Sequence, residues 1–222
     1  MCRNCVKRLR AILAALAVGA LAGCSSAPEL PTTAEATGQN AAVGEEGANA
    51  AALADPLPPE AVQQFDQAVL RMNAGDVAAA EQAFLLLAAQ YPSYSGALVN
   101  LGILQAKANR LEEAEKTLRG ALERNGANAA ALNQLGIVYR KLGRFKEADE
   151  SYQRAVQADP NYALAWLNLG VLCDLYLQQP QRALEAYERY LALAGTPDEK
   201  VNGWVTELKK RLGSEPRAAR AQ

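Results

Sequence analysis

The side chains that could do chemistry in this chain are few. Cys2 and Cys5 are separated by two residues, the spacing of a redox or metal-binding pair. Cys24 stands at the end of an apolar stretch. Cys173 falls on an apolar helical face, where cysteine behaves as a small hydrophobe. There is no histidine, which removes the commonest general base and the commonest metal ligand. Triads and zinc sites built on imidazole are excluded, and no pair of acids stands out from the helical surfaces. The expectation is a non-enzymatic protein with no catalytic residue, no metal, no small-molecule substrate and no cofactor. Half of the residues are hydrophobic but only 6% are aromatic, so Ala and Leu carry the apolar content, a helical balance.

The cysteines are placed by the segments around them. Arg3, Lys7, Arg8 and Arg10 give a basic start, and residues 11–23 are uncharged and mostly apolar. Leu21-Ala22-Gly23-Cys24-Ser25 follows. A charged start, an apolar stretch and small residues before a cut describe a secretory signal. The stretch is short for a membrane span, which needs about 20 apolar residues. The Leu-Ala-Gly-Cys segment resembles a bacterial lipobox. The resemblance implies that residues 1–23 are removed and that Cys24 becomes the acylated first residue, a covalent lipid anchoring the chain to membrane. Stable anchoring takes more than one acyl chain, and lipoproteins with this signal carry several. Ser25 stands where an Asp would change sorting, so the same resemblance implies an outer-membrane lipoprotein facing the periplasm. Cys2 and Cys5 are then lost with the signal, and Cys173 is the sole free thiol.

Losing the first 23 residues removes four of 23 basic residues and none of the 24 acidic ones, leaving a net charge of −5. A net acidic chain without a basic stripe argues against nucleic acid as a partner. Residues 24–59 hold the lipidated Cys and then a segment rich in Ala, Gly, Pro, Thr and Glu without an aromatic residue. It cannot bury enough apolar surface to offset its ordering entropy. It is expected to be a flexible, disordered acidic tether, with a reach of about 30–35 Å.

From Glu60 the pattern changes. Gly102, Gly136 and Gly170 stand 34 residues apart, as do Gly75, Asn109 and Gly143, then Ala80, Ala114 and Ala148. A fixed period of this size means a stack of supersecondary units. One row reads Leu132-x-x-Leu135-Gly136-x-x-Tyr139, then Ala148-x-x-x-Tyr152-x-x-Ala155 and Pro160. Another reads Trp166-x-x-Leu169-Gly170-x-x-Cys173, then Ala183-x-x-x-Tyr187. The rows resemble the tetratricopeptide repeat. That implies an all-α, right-handed superhelical solenoid over residues 60–194, in four hairpins at about 61–94, 95–128, 129–162 and 163–195. The Gly and Ala columns are small so that the two helices of a hairpin can approach closely. Gly75, Asn109 and Gly143 fall between helices, where a left-handed residue is wanted. The fourth row carries one extra residue near Leu177-Gln178-Gln179-Pro180, with Pro180 opening the second helix. Thr196-Pro197-Asp198-Glu199 predicts an N-cap at Thr196, a capping box and a helix over 196–212 that covers the open end of the stack. Residues 213–222 read as a disordered tail.

In tetratricopeptide proteins the inner face is lined from the first helix of each row. Carried onto this chain, those positions hold Phe65, Val69, Val99, Ile103, Asn133, Ile137, Arg140, Leu164, Leu167 and Val171, flanked by Val62, Met72, Ala106 and Asp174. The expected partner is a protein or peptide segment in this concave apolar groove. Some relatives clamp a terminal carboxylate with Lys, Asn and Arg. Asn100 and Asn168 occupy the Asn-like position, but Phe65, Gly96, Ala130 and Val99 stand where basic residues would be, so that clamp is not expected. The combination is similar to small tetratricopeptide lipoproteins that assist type IV or Tad-type pili and secretins as pilotins or assembly factors. The alternative is an adaptor that docks or regulates cell-wall hydrolases and synthases.

Overall fold

The computed structural model describes residues 57–214. The signal segment, Cys24 and the tether as far as residue 56 fall outside the described residues, as does the tail beyond Ser214. The described part is all helical: α1 Pro59–Asn73, α2 Val77–Gln90, α3 Gly96–Lys107, α4 Leu111–Arg124, α5 Ala129–Lys141, α6 Phe145–Ala158, α7 Ala163–Leu175, α8 Pro180–Leu193 and α9 Glu199–Ser214. Consecutive helices pair as hairpins, and each second helix also packs on the next first helix. The first helices touch one another in series, α1 on α3, α3 on α5 and α5 on α7. This is an all-α solenoid.

The hairpins close where the sequence is smallest. A Cβ built on Gly136 would stand 2.5 Å from the Tyr152 ring, and one on Gly102 would stand 2.7 Å from Leu118 Cγ. Gly170 meets Tyr187 in the same way. Each of these first helices therefore lies against a large side chain of its own second helix, and Tyr152, Tyr187 and Leu118 are fully buried. Ala80, Ala114, Ala148 and Ala183 are sealed at 0% exposure, each on the second helix of its hairpin. At this packing density an added methylene forces strain.

The turns repeat the helices' period. Gly75, Asn109 and Gly143 all take a positive φ, at 81°, 58° and 74°. In each turn the next amide closes a six-residue loop: Asp76 N–H donates to Arg71 O, Arg110 N–H to Gln105 O and Arg144 N–H to Tyr139 O. This is the helix-ending motif that a left-handed residue permits. In the fourth turn Gln178 takes the left-handed conformation, at φ 54°. The extra residue widens the loop, so Gln179 N–H reaches Cys173 O. Pro180 opens α8.

The far end differs from the sequence expectation in one respect. The capping helix starts at Glu199, and the cap is Asp198, not Thr196. One Asp198 oxygen accepts from Val201 N–H at 3.0 Å and the other accepts from the Tyr190 hydroxyl at 2.9 Å. A carboxylate that gathers two donors, one from the preceding helix, displaces a lone hydroxyl cap. Gly195, at φ 64°, supplies the reversal between α8 and α9. Val201, Val205 and Leu208 are buried, and Trp204 stacks at 5.3 Å from Tyr187.

A regular set of charges ties one hairpin to the next. Arg110 pairs with Glu81, Arg144 with Glu115 at 2.8 Å, and Arg182 with Asp149 at 2.7 Å. Glu81, Glu115 and Asp149 are 34 apart, and so are Arg110 and Arg144. The third Arg is displaced by the widened turn, and the first turn of α8 supplies it. Asn128 adds a buried link, capping α5 through Ala131 N–H at 2.9 Å while its amide donates to Ser95 Oγ at 2.9 Å.

Gly136→Leu should destabilise the array by about 3 kcal/mol through overpacking against Tyr152, lowering the melting temperature by about 10 °C; an unaltered melting curve would refute the close crossing. A second outcome follows from burial, which pushes the Tyr152 phenol up to about 12 against the opposing pull of the Arg140 guanidinium. A tyrosine that ionises more easily when unfolded favours the fold fully below pH 10 and progressively less between pH 10 and 12. Melts recorded from pH 8 to 12 should hold steady to about pH 10 and then fall.

Candidate partner-binding face

The inner positions of the first helices are brought onto successive helices in contact, but not into one open trough. Phe65 is buried, tilted against Phe84 and edge-on to Tyr94 at centroid distances of 5.8 and 5.5 Å. Val99 and Ile103, at 1% and 2% exposure, share a cluster with Ala130 and Ala131 of α5. Small residues on the facing helix leave room for those two side chains between α3 and α5. Val171 and Ile137 are buried in the main core cluster. Asn133 is buried too, and it links hairpins. Its carbonyl oxygen accepts from Asn168 Nδ2 at 3.0 Å, and its own amide donates to the Tyr162 hydroxyl at 3.4 Å.

Val69, Arg140, Leu164 and Leu167 keep partial exposure. Three of these four lie on α5 and α7. The reachable part of the expected groove therefore concentrates toward the third and fourth hairpins, with Leu164 and Leu167 in the first half of α7 and Arg140 in the last turn of α5. The sequence pattern marks a position as inner, but it does not say how far neighbouring helices close over it. The Ala-rich start of α5, Ala129-Ala130-Ala131, is the signal in the sequence for that closure.

Arg140 occupies the last turn of α5. Its guanidinium carbon lies 5.9 Å from the centroid of the Tyr176 ring. Its Nε is sealed from solvent without a hydrogen-bond partner, and so is the nearby Tyr152 hydroxyl. Burial works against the Arg140 charge, while the Tyr152 and Tyr176 phenols offset it, so the guanidinium stays protonated beyond its usual range. Lys141 lies beside it, with Nζ donating to Ala106 O at 3.1 Å. Burial, and then the Arg140 charge, pull the Lys141 ammonium down. Asp174 of α7 pairs with Arg211 of α9 at 2.7 Å.

A second concavity lies at the opposite end, between α1 and α2. It has a volume of about 270 Å³ and is lined by Gln64, Gln67, Arg71, Ala79, Ala83 and Leu86. No preceding hairpin covers this end among the described residues, and Leu70, Leu85 and Leu86 are exposed.

Cys173 is buried, and burial pushes its thiol up to about 11, so it is protonated at neutral pH. Among the described residues no group of three His, Cys, Asp or Glu side chains could hold a metal ion. None of the described helices is long and apolar enough to cross a membrane.

Comparison with known proteins agrees with this geometry. Two family models, both described as tetratricopeptide repeat, match residues 65–130 and 129–162. No curated protein sequence matches the chain. Among solved structures, PilF of Pseudomonas aeruginosa is 23% identical with a TM-score of 0.61, over 68% of this chain and 69% of that one. MamA is 21% identical with a TM-score of 0.56, over 66% of this chain and 84% of that one. The first such domain of Spaghetti (RPAP3), solved with the HSP90 peptide SRMEEVD, is 22% identical with a TM-score of 0.50, over 54% and 94%. At these identities the likeness is one of fold. Solenoids of this type are protein–protein interaction scaffolds, and the Spaghetti domain holds a peptide. Residues 65–162 of this chain are tetratricopeptide repeats, and the helical solenoid that contains them is a tetratricopeptide-repeat array.

Proposed function

We propose that the chain is a lipid-anchored periplasmic scaffold that assists assembly of an envelope machine, a type IV or Tad-type pilus or a secretin. The observation that carries this reading is the order of the sequence. A basic start, an apolar stretch and Leu21-Ala22-Gly23-Cys24 precede an acidic segment without Lys or Arg, and the repeat array follows. Acylation at Cys24 would hold the array within a tether's reach of the outer membrane. Acidic groups along that tether would keep it off an anionic lipid surface. The array supplies an inner face, partly exposed at Val69, Arg140, Leu164 and Leu167, for a protein segment.

Cys24→Ala should abolish radiolabelled palmitate incorporation and release the protein into the soluble periplasmic fraction; continued membrane retention would sink the lipid anchor. Affinity capture from envelope membranes should recover pilus or secretin subunits with the unsubstituted chain, and less with Leu164→Asp/Leu167→Asp, whose helicity should survive because both sites are half-exposed. Recovery of cell-wall enzymes in their place would overturn the machine assigned here.

A further inference from the structure

Each first helix after α1 meets the preceding hairpin through the same three positions. In α3 they are Ala97, Leu101 and Leu104, all buried, and their counterparts 34 residues on in α5 and again in α7 are buried as well. Leu104 enters the cluster of the first hairpin. In α1 the same positions hold Gln63, Gln67 and Leu70, and all three are exposed, Leu70 at 66%. No hairpin precedes α1 among the described residues. Gln67 also lines the concavity between α1 and α2, together with Arg71, Ala79, Ala83 and Leu86, so this face and the concavity are continuous. Elsewhere in the stack such a face is covered by a preceding second helix: α2 packs on α3, α4 on α5 and α6 on α7. The far end of the stack has its own cover in α9.

The chain itself has a segment suited to the open end. The described residues begin at Leu57, which packs on the cluster of the first hairpin, so the segment before it starts beside that end. Pro58, Pro92 and Pro160 fall in one column of the 34-residue period. Pro92 and Pro160 follow α2 and α6. Pro58 therefore puts residues 43–56 where a second helix stands in the other rows. Ala48-Asn49-Ala50-Ala51-Ala52-Leu53-Ala54 lies in that window, and Ala and Leu are strong helix formers.

We propose that residues 45–55 dock on the open end as the second helix of an incomplete preceding repeat, with Leu53 and the alanines against Leu70 and the concavity. The fit is one of size and charge. A single Leu among Gln side chains suits a cover with small residues and one large apolar one. A leucine-rich helix would strip water from the Gln amides without pairing them. Arg71 is the sole Lys or Arg of residues 57–95. Two rows on, its position is held by Tyr139, whose hydroxyl donates to Glu115 of the preceding second helix at 3.3 Å. The counterpart of Glu115 two rows back is Gly47, so Glu45 and Glu46 adjoin the position that faces Arg71. Docking goes beyond the scaffold reading and does not depend on a lipid at Cys24. Where that anchor is present, the free tether shortens to residues 25–44, a reach of about 25 Å, and the first hairpin is the end held nearest the membrane.

Hydrogen–deuterium exchange of the full chain in detergent tests the docking. After correction for local sequence, amides of residues 48–54 should exchange about tenfold more slowly than those of residues 32–42, at every protein concentration. Leu70→Asp, at an exposed site that leaves the array folded, should abolish that protection. Leu53→Asp, outside the described array, should do the same. Arg71→Glu should weaken the protection, and Glu45→Arg/Glu46→Arg in that background should restore it. Residues 48–54 that exchange as fast as 32–42 would leave the face to a partner protein and overturn the docking. Protection that grows with protein concentration, alongside a doubled mass in sedimentation, would give the face to a second copy and overturn it as well. Protection that survives Leu70→Asp would mean that the segment lies elsewhere, and a charge swap that restores nothing would refute the register against Arg71. The measurement involves no pilus or secretin component and no acylation, so its failure and the failure of the machine assignment are distinguishable.

Discussion

The contact between Gly136 and the Tyr152 ring sets the geometry on which the rest of the array depends. A helix can lie this close to its partner only where one side offers no Cβ and the other a flat or branched side chain to fill the space. The same pairing recurs at Gly102 with Leu118 and at Gly170 with Tyr187. It fixes each hairpin as a unit, and the stack then follows from repeating that unit against itself. The first hairpin has Ala68 in place of the glycine, buried at 0%, so the same crossing is met with one extra methyl and different neighbours. The aromatic cluster of Phe65, Phe84 and Tyr94 fills that end.

Hairpins so defined still need register relative to one another, and the charges provide it. The acid column of Glu81, Glu115 and Asp149 meets an arginine arriving from the next turn. Each pair is partly exposed, and such pairs stabilise only modestly. Their value lies in geometry. An arginine placed one residue past a left-handed turn can reach the preceding second helix only if the next hairpin sits at the repeat's own offset. The fourth hairpin shows the constraint from the other side. Its turn is longer by one residue and uses Gln178 at positive φ, yet the link to Asp149 is kept by drawing on Arg182 of α8. The insertion is absorbed in the loop while the interface is preserved.

The helices, their pairing and the positive-φ turns were legible in the sequence because they follow from residue type at a fixed period. Gly, Asn, Ala and Pro columns state backbone requirements directly. The arginine–acid links carry the same 34-residue period at Glu81, Glu115, Arg110 and Arg144 and could have been read in the same way. Two kinds of feature were not legible. Asp198 displaced Thr196 as the cap because it receives the Tyr190 hydroxyl from α8, a tertiary contact that a local capping pattern does not contain. The openness of the inner face depends on how closely first helices approach. Val99 and Ile103 are inner by position but are closed over beside Ala130 and Ala131, and only the assembled packing reveals it.

Those distinctions bear on where a partner can act. Residues that define the repeat are spent on packing: Tyr152, Ala148 and Gly136 cannot change without disturbing the hairpin. Residues that define the links are spent on each other, as the paired carboxylates show. What remains includes the half-exposed leucines of α7, the exposed leucines of the first hairpin and Arg140 at the end of α5. Arg140 is instructive because its position serves packing poorly. Its Nε is sealed without an acceptor and its charge has no acid beside it, an arrangement that an apolar residue of similar size would improve for stability alone. A scaffold built only to stand would have little use for that charge. Tyr176 lies against the guanidinium and limits the conformations that the long side chain samples.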